Sequence, residues 1–150
     1  MATLPKQYIP KDSTPLIEKF INCMMHDGKK AVARRVFADA LEIIKTRTKE
    51  DPSEVFAKAL LNATPLMEVR PKRVGGGVYQ VPTEVTPKRQ TSLSIRWVIN
   101  AARERKGMPM AQKLALELLD ASTEQGGAVK KKQDVLKMAQ ANKAFAHLAK

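Results

Sequence analysis

Cysteine is all but missing from this chain of 150 residues, where Cys23 stands alone. That excludes an intramolecular disulfide and suits a reducing compartment. Aromatic residues amount to 5% and are scattered, with Tyr79 the single ring inside the most basic stretch. Reading of single-stranded bases by rows of stacked rings is therefore not the expected mode, which leaves backbone contact and shape. Histidine occurs twice, as His26 and His147, and no group of His, Cys and carboxylates has metal-ligand spacing. Cys23 and His26 are three residues apart and could touch, yet Cys23 falls in an apolar helical run and reads as a core residue. The pattern therefore supports no enzyme, and neither a cofactor nor a metal is expected. No apolar run approaches the roughly 18 residues of a spanning helix; charge alone leaves a membrane surface possible, but no membrane partner is expected. The opening MATLPKQYIP has neither the apolar stretch of a signal peptide nor the arginines of a transit peptide, and the chain is expected to stay where it is made.

Acids are scarce as well: 15 Asp and Glu face 27 Lys and Arg, a formal charge of +12. Such an excess favours a polyanionic partner. Its distribution is uneven. Residues 1 to 50 carry ten basic and six acidic groups, 51 to 69 one and three, 70 to 106 nine and two, and 107 to 150 seven and four. More than half of the excess thus falls in one quarter of the chain. A length of 150 residues and 43% hydrophobic content allow one well-buried core, so a single domain over 1–150 is expected, with a tail over 1–13.

Helical signals dominate. Thr14-Pro15 starts a run of Leu16, Ile17, Phe20, Ile21 and Met24 at helical spacing, stopped by Asp27-Gly28. The next helix uses Val32, Val36, Phe37, Ala40, Leu41 and Ile44, and Asp51-Pro52-Ser53-Glu54 then supplies an N-cap, a proline at the first helical position and an acid resembling a capping box. A fourth helix is expected from about Arg89 to Lys106, and a fifth between Pro109 and Glu124. A last one carries Val135, Met138, Ala139, Phe145 and Ala146 after the break at Gly126-Gly127. The expected fold is mainly α, a bundle of about six helices from which one two-stranded β-hairpin arm protrudes over 67–87. The arm is the segment RPKRVGGGVYQVPTEV, two β-like runs around three glycines. Pro71 and Pro82 restrict both runs to edge strands, and an isolated ribbon is marginal in water. The arm is therefore expected to lean on something outside its own domain.

Several basic groups have spacing worth weighing. Gly28-Lys29-Lys30 lacks the earlier glycine and the following Ser or Thr of a P-loop, because Cys23 and Lys30 occupy those places. Two cations at a helix N-terminus oppose the macrodipole by about 0.3 to 1 kcal/mol each. They are either a solvated, mildly unfavourable pair or a site for a docked phosphate. On the second reading, acidic replacements of both would stabilise the free fold slightly and abolish binding of the polyanion. Arg89, Arg96 and Arg103 recur every seven residues, one stripe on a helix beside Ile95, Val98, Ile99 and Ala102. Acids that would mark an ordinary solvated face are sparse there, so the stripe can follow a phosphate backbone. Lys130-Lys131-Lys132 is either a further contact or a solvated loop, and Trp97 is a core or half-buried anchor. Folded RNA suits cations on several faces better than one groove of DNA does.

GKK after a short helix, RVGGGVYQVP in the arm, RW in the following helix, then AVKKK and MAQANKAFAH occur in an order that resembles one family. The chain is similar, from about Asp12 to His147, to the small-subunit ribosomal proteins numbered seven, of bacterial or organellar type. The resemblance implies a helical protein with a protruding β-ribbon that binds the 3′ major domain of small-subunit rRNA and nucleates assembly of the subunit head. It implies a place by the exit (E) site for tRNA and the mRNA exit path, beside head proteins that include number eleven, in the cytoplasmic or an organellar ribosome. The rRNA contacts it implies are Lys29, Lys30, Arg34, Arg70, Lys72, Arg73, Gly75, Gly76, Arg89, Arg96, Arg103, Lys130, Lys131 and Lys132. Gly77, Val78, Tyr79, Gly126 and Gly127 would face the E-site tRNA and mRNA. The family's arginine-rich start and Tyr-Arg-Trp end do not match MATLPKQYIPK and Leu148-Ala149-Lys150, so contacts of either end are not carried over. DVLKMAQAN stands where a His-Arg pair usually precedes the Met, so none is assigned to Leu136 or Lys137. The competing reading from residues alone is an architectural DNA binder with a β-ribbon arm.

Overall fold

The structure, a computed structural model, describes Pro10 and residues 13–149. Most of the tail expected over 1–13 lies outside the described residues. Six α-helices are present among those described: α1 (Pro15–Met24), α2 (Lys30–Arg47), α3 (Pro52–Asn62), α4 (Pro87–Glu104), α5 (Met110–Ser122) and α6 (Gly126–Ala141). The ribbon strands β1 (Met67–Val74) and β2 (Gly77–Glu84) lie between α3 and α4, and a 3-10 helix, Lys143–Ala149, is the last element among the described residues. The mainly α fold with one hairpin is as the sequence indicates.

Local chemistry sets the helix starts. The Thr14 hydroxyl accepts from Ile17 N–H at 3.2 Å, and the Asp51 carboxylate accepts from Ser53 N–H at 3.0 Å, each ahead of a proline at the first helical position. Between α1 and α2 the backbone turns through Asp27 and Gly28, both left-handed at φ 51° and 70°, a conformation Asp tolerates and Gly adopts without a Cβ clash.

The apolar stripes of these helices converge on α5, whose Leu114, Ala115, Leu118 and Ala121 are fully buried and which packs on α2, α3, α4 and α6. Phe20, Phe37 and Phe56, one each from α1, α2 and α3, meet with ring centroids 5.2 to 5.5 Å apart. Such side chains each contribute about 1.5 to 3 kcal/mol on burial. Ile95, Val98, Ile99 and Ala102 of α4 complete one continuous core.

The ribbon is antiparallel, with Val74 opposite Gly77 and Met67 opposite Glu84. Gly75 and Gly76 form its two-residue turn at φ 56° and 86°, the left-handed pair that a type I′ hairpin demands. Val81 and Glu68 at its root are buried, whereas Val74, Val78 and Tyr79 near the tip are exposed.

Three expectations change. Cys23 is exposed, because the buried stripe of α1 runs through Phe20, Ile21 and Met24 and Cys23 falls roughly a third of a turn from its centre. The last helix stops at Ala141, and Phe145 and Ala146 belong to the 3-10 segment instead. That segment folds back on the ribbon: the Phe145 ring packs tilted against that of Tyr79, centroids 5.1 Å apart, and Lys72 Nζ donates to the Leu148 carbonyl at 2.7 Å. The arm thus gains part of its support from the chain's own C-terminal residues rather than only from outside.

Candidate nucleic-acid interface

Alternation along a strand decides which ribbon cations can act together. Side chains two apart share a face, and directly paired residues share it as well. Glu68, Arg70 and Lys72 therefore lie on one face with Thr83, Val81 and Tyr79, while Arg73 lies on the other with Val78. The three arm cations are two groups, not one cluster. The C-terminal 3-10 segment covers part of the first face, through Lys72 and Tyr79.

At the root of the ribbon the Glu68 side chain is 9% exposed. Arg70 pairs with it through Nε and Nη2, and Arg89, from the first turn of α4, donates Nε to its two oxygens at 2.9 and 2.8 Å. A carboxylate this deep is stable only when paired and hydrogen-bonded. Directly across the ladder, Thr83 Oγ1 is the one buried side-chain oxygen among the described residues without a hydrogen-bond partner.

A second buried acid organises the start of α2. Glu18 of α1 is 1% exposed and accepts from Lys30 Nζ at 2.8 Å, Arg34 Nη2 at 2.8 Å and the Ser13 hydroxyl at 3.1 Å. The hydrogen bond from Lys30 lowers the carboxyl's pKa below its ordinary value; burial works against it, and Ser13 and Arg34 add to it. Of the two lysines at this helix start, Lys30 is thus held by an internal anion. Lys29 is exposed and has no intramolecular side-chain partner among the described residues.

A third acid fixes the start of α6. Glu117 of α5, 1% exposed, accepts from Ala128 N–H at 2.9 Å and from Arg105 Nη2 at 2.6 Å, and Arg105 also reaches Asp120. Burial draws the Arg105 pKa down, but the hydrogen bonds to Asp120 and Glu117 outweigh it, so the guanidinium holds its proton more tightly than usual. Gly126 and Gly127 are not a loose loop. They form the first turn of α6, where a Cβ on Gly126 would stand 2.9 Å from Glu117 Oε1 and one on Gly127 2.9 Å from Ala101 Cβ.

The arginine stripe of α4 is exposed at all three positions, yet its ends are engaged. Arg89 is held by Glu68, and Arg103 donates to the Met24 carbonyl at 3.1 Å, satisfying the end of α1. Arg96 has no intramolecular side-chain partner among the described residues, and the same holds for Arg73, Lys130 and Lys131. Lys132 donates to the Asn62 carbonyl at 2.8 Å and ties α6 to the end of α3. Lys131 flanks a cleft of about 230 Å³ between α4 and α6, lined also by half-buried Trp97, Asn100, Glu104 and Gly127. Sequence reasoning missed Glu18, Glu68 and Glu117. Only Glu68 carries a local signal, an arginine two positions on along the same strand.

A compact helical body with cations on several faces and a basic ribbon standing out from it defines a class: structural proteins that hold folded nucleic acid through its backbone. The family follows from sequence comparison. Residues 2–143 match the family model described as ribosomal protein S7p/S5e. The chain is 56% identical over 142 residues to the small ribosomal subunit protein uS7 of Dictyoglomus thermophilum, covering 93% of this chain and 91% of that one. It is 56% identical over 138 residues to uS7 of Solidesulfovibrio magneticus, covering 92% and 88%, and 52% identical over 147 residues to uS7 of Carboxydothermus hydrogenoformans, covering 96% and 94%. The chain belongs to the ribosomal protein S7 family. It is a structural, non-enzymatic constituent of the small ribosomal subunit, an rRNA-binding ribonucleoprotein component that serves translation.

Proposed function

We propose that this protein grips the 3′ major domain of small-subunit rRNA, nucleates assembly of the subunit head and lies beside the E-site tRNA and the mRNA exit path. The observation that carries the reading is the placement of charge: 70–106 holds nine cations against two acids, on an exposed ribbon and the helix that follows it. Lys29, Arg73, Arg96, Lys130 and Lys131 reach solvent without an intramolecular partner among the described residues, and each would meet a phosphate at little cost in broken contacts. Lys30, Arg34, Arg70, Lys72, Arg89, Arg103 and Lys132 have intramolecular partners and would present charge from fixed positions. At the ribbon tip, Gly75 and Gly76 let backbone approach RNA closely. Gly77, Val78 and Tyr79, with the α6 start at Gly126 and Gly127, would face tRNA and mRNA, beside the head protein numbered eleven. The single domain works in the ribosome of the cytoplasm or of an organelle. Chemical footprinting of small-subunit rRNA with and without the protein tests this: protection confined to the 3′ major domain is expected, and protection spread evenly over all domains would refute it.

A further inference from the structure

We propose that Glu68 is a positioning residue that holds Arg70 and Arg89 as one two-pronged receptor for a single RNA phosphate. The inference rests on the reading of those arginines as rRNA contacts and specifies what they do. Glu68 is buried, but its two partners are not: the side chains of Arg70 and Arg89 are 54% and 45% exposed. One carboxylate thus anchors two guanidinium groups that arrive from different elements, a ribbon strand and the first turn of α4. Arg89 uses only Nε for this bond, and neither of its terminal amino groups has an intramolecular partner among the described residues. The unit carries two positive charges and one negative, leaving a net cation at the surface with unused donors in fixed forks. An unanchored arginine loses rotamer freedom when it binds, whereas these have already lost much of it in the free protein. A phosphate has the oxygen geometry that guanidinium forks match in pairs. In the sequence Glu68 counts only among the three acids of 51–69, outside the basic stretch that begins at Arg70.

The sign of a charge-neutralising substitution separates the two views. Glu68→Gln raises the net charge by one, so a surface that works by bulk charge alone would bind RNA more tightly. A positioning role predicts the reverse, about tenfold weaker binding of full-length protein to a 3′ major domain transcript in filter assays at fixed salt. Arg70→Lys and Arg89→Lys keep charge and leave Glu68 paired while removing the fork. Each is expected to weaken binding about tenfold, and less than additively when combined with E68Q. Circular dichroism melts of the RNA-free variants check that each is folded. Unchanged or tighter binding by folded E68Q overturns the proposal, as does undiminished binding by both lysine variants, which decides the matter should E68Q not fold. Wild-type affinity in both R70Q and R89Q would instead refute the arginines as RNA contacts at all.

Discussion

Replacing Lys29 and Lys30 one at a time by Glu divides two accounts of the same helix start. If both lysines only oppose the α2 macrodipole, each acid should stabilise the free protein by about 0.3 to 1 kcal/mol. That holds for Lys29, which is exposed at the N-cap position without a side-chain bond. At position 30 the local field is different, since Lys30 Nζ stands 2.8 Å from a Glu18 oxygen in a side chain only 1% exposed. Lys30→Glu removes one of two cations from that buried carboxylate and sets a second carboxylate beside it. Breaking a buried pair costs about 3 to 5 kcal/mol, and Arg34, which stays on the same oxygen, reduces this to about 2 to 3. At about 2 to 4 °C per kcal/mol for a protein of this size, K30E should melt roughly 5 to 10 °C below the parent. K29E should equal it or melt slightly higher. Circular dichroism melts of RNA-free protein at pH 7 and low salt provide the assay. A K30E protein as stable as the parent would refute the Glu18 anchor.

The same carboxylate makes stability depend on pH. A lowered pKa means that Glu18 contributes stability fully above the ordinary carboxyl range near 4.3, and that this contribution is lost as pH falls through its lower folded value. Melts between pH 7 and pH 3 should therefore show less acid sensitivity in Glu18→Gln than in the parent, at lower overall stability; equal sensitivity would argue against it. Gly126→Ala should cost about 1 to 2 kcal/mol, from a left-handed φ of 89° and a Cβ 2.9 Å from Glu117 Oε1, read as a lower melting temperature. Phe145→Ala should release the 3-10 segment from Tyr79 at a cost of about 0.5 to 1.5 kcal/mol beyond area loss, seen as faster amide exchange across 143–149 with the helices unchanged.

What the sequence made legible was local. Thr14-Pro15, Asp51-Pro52 and the glycines at 75 and 76 determine their backbone within a few residues, and the structure bears them out as caps and turn. The apolar stripes placed most of the core on the same grounds, although Val32 and Met138, counted on those stripes, are exposed. Long-range pairing was out of reach, because nothing near Glu18 or Glu117 announces that its charge will be buried against Lys30, Arg34 or Arg105. An acid surrounded by cations in sequence looks like dilution, but in space it orders them. The division of Arg70 and Lys72 from Arg73 was available from the two-residue period of a strand. The fold-back of Phe145 onto Tyr79 had no local signal, since both rings lie near the ends of their elements and 66 residues apart in a contact only tertiary structure creates.

The central claim is that ribbon cations neutralise RNA phosphates, and the salt dependence of binding tests it most directly. Plots of log affinity against log salt for a 3′ major domain transcript should be steeper for the parent than for R70Q/K72Q/R73Q. At about 0.7 to 0.9 per neutralised phosphate, the slope should fall by roughly 2 if all three engage RNA. An unchanged slope in the folded triple variant would contradict the account.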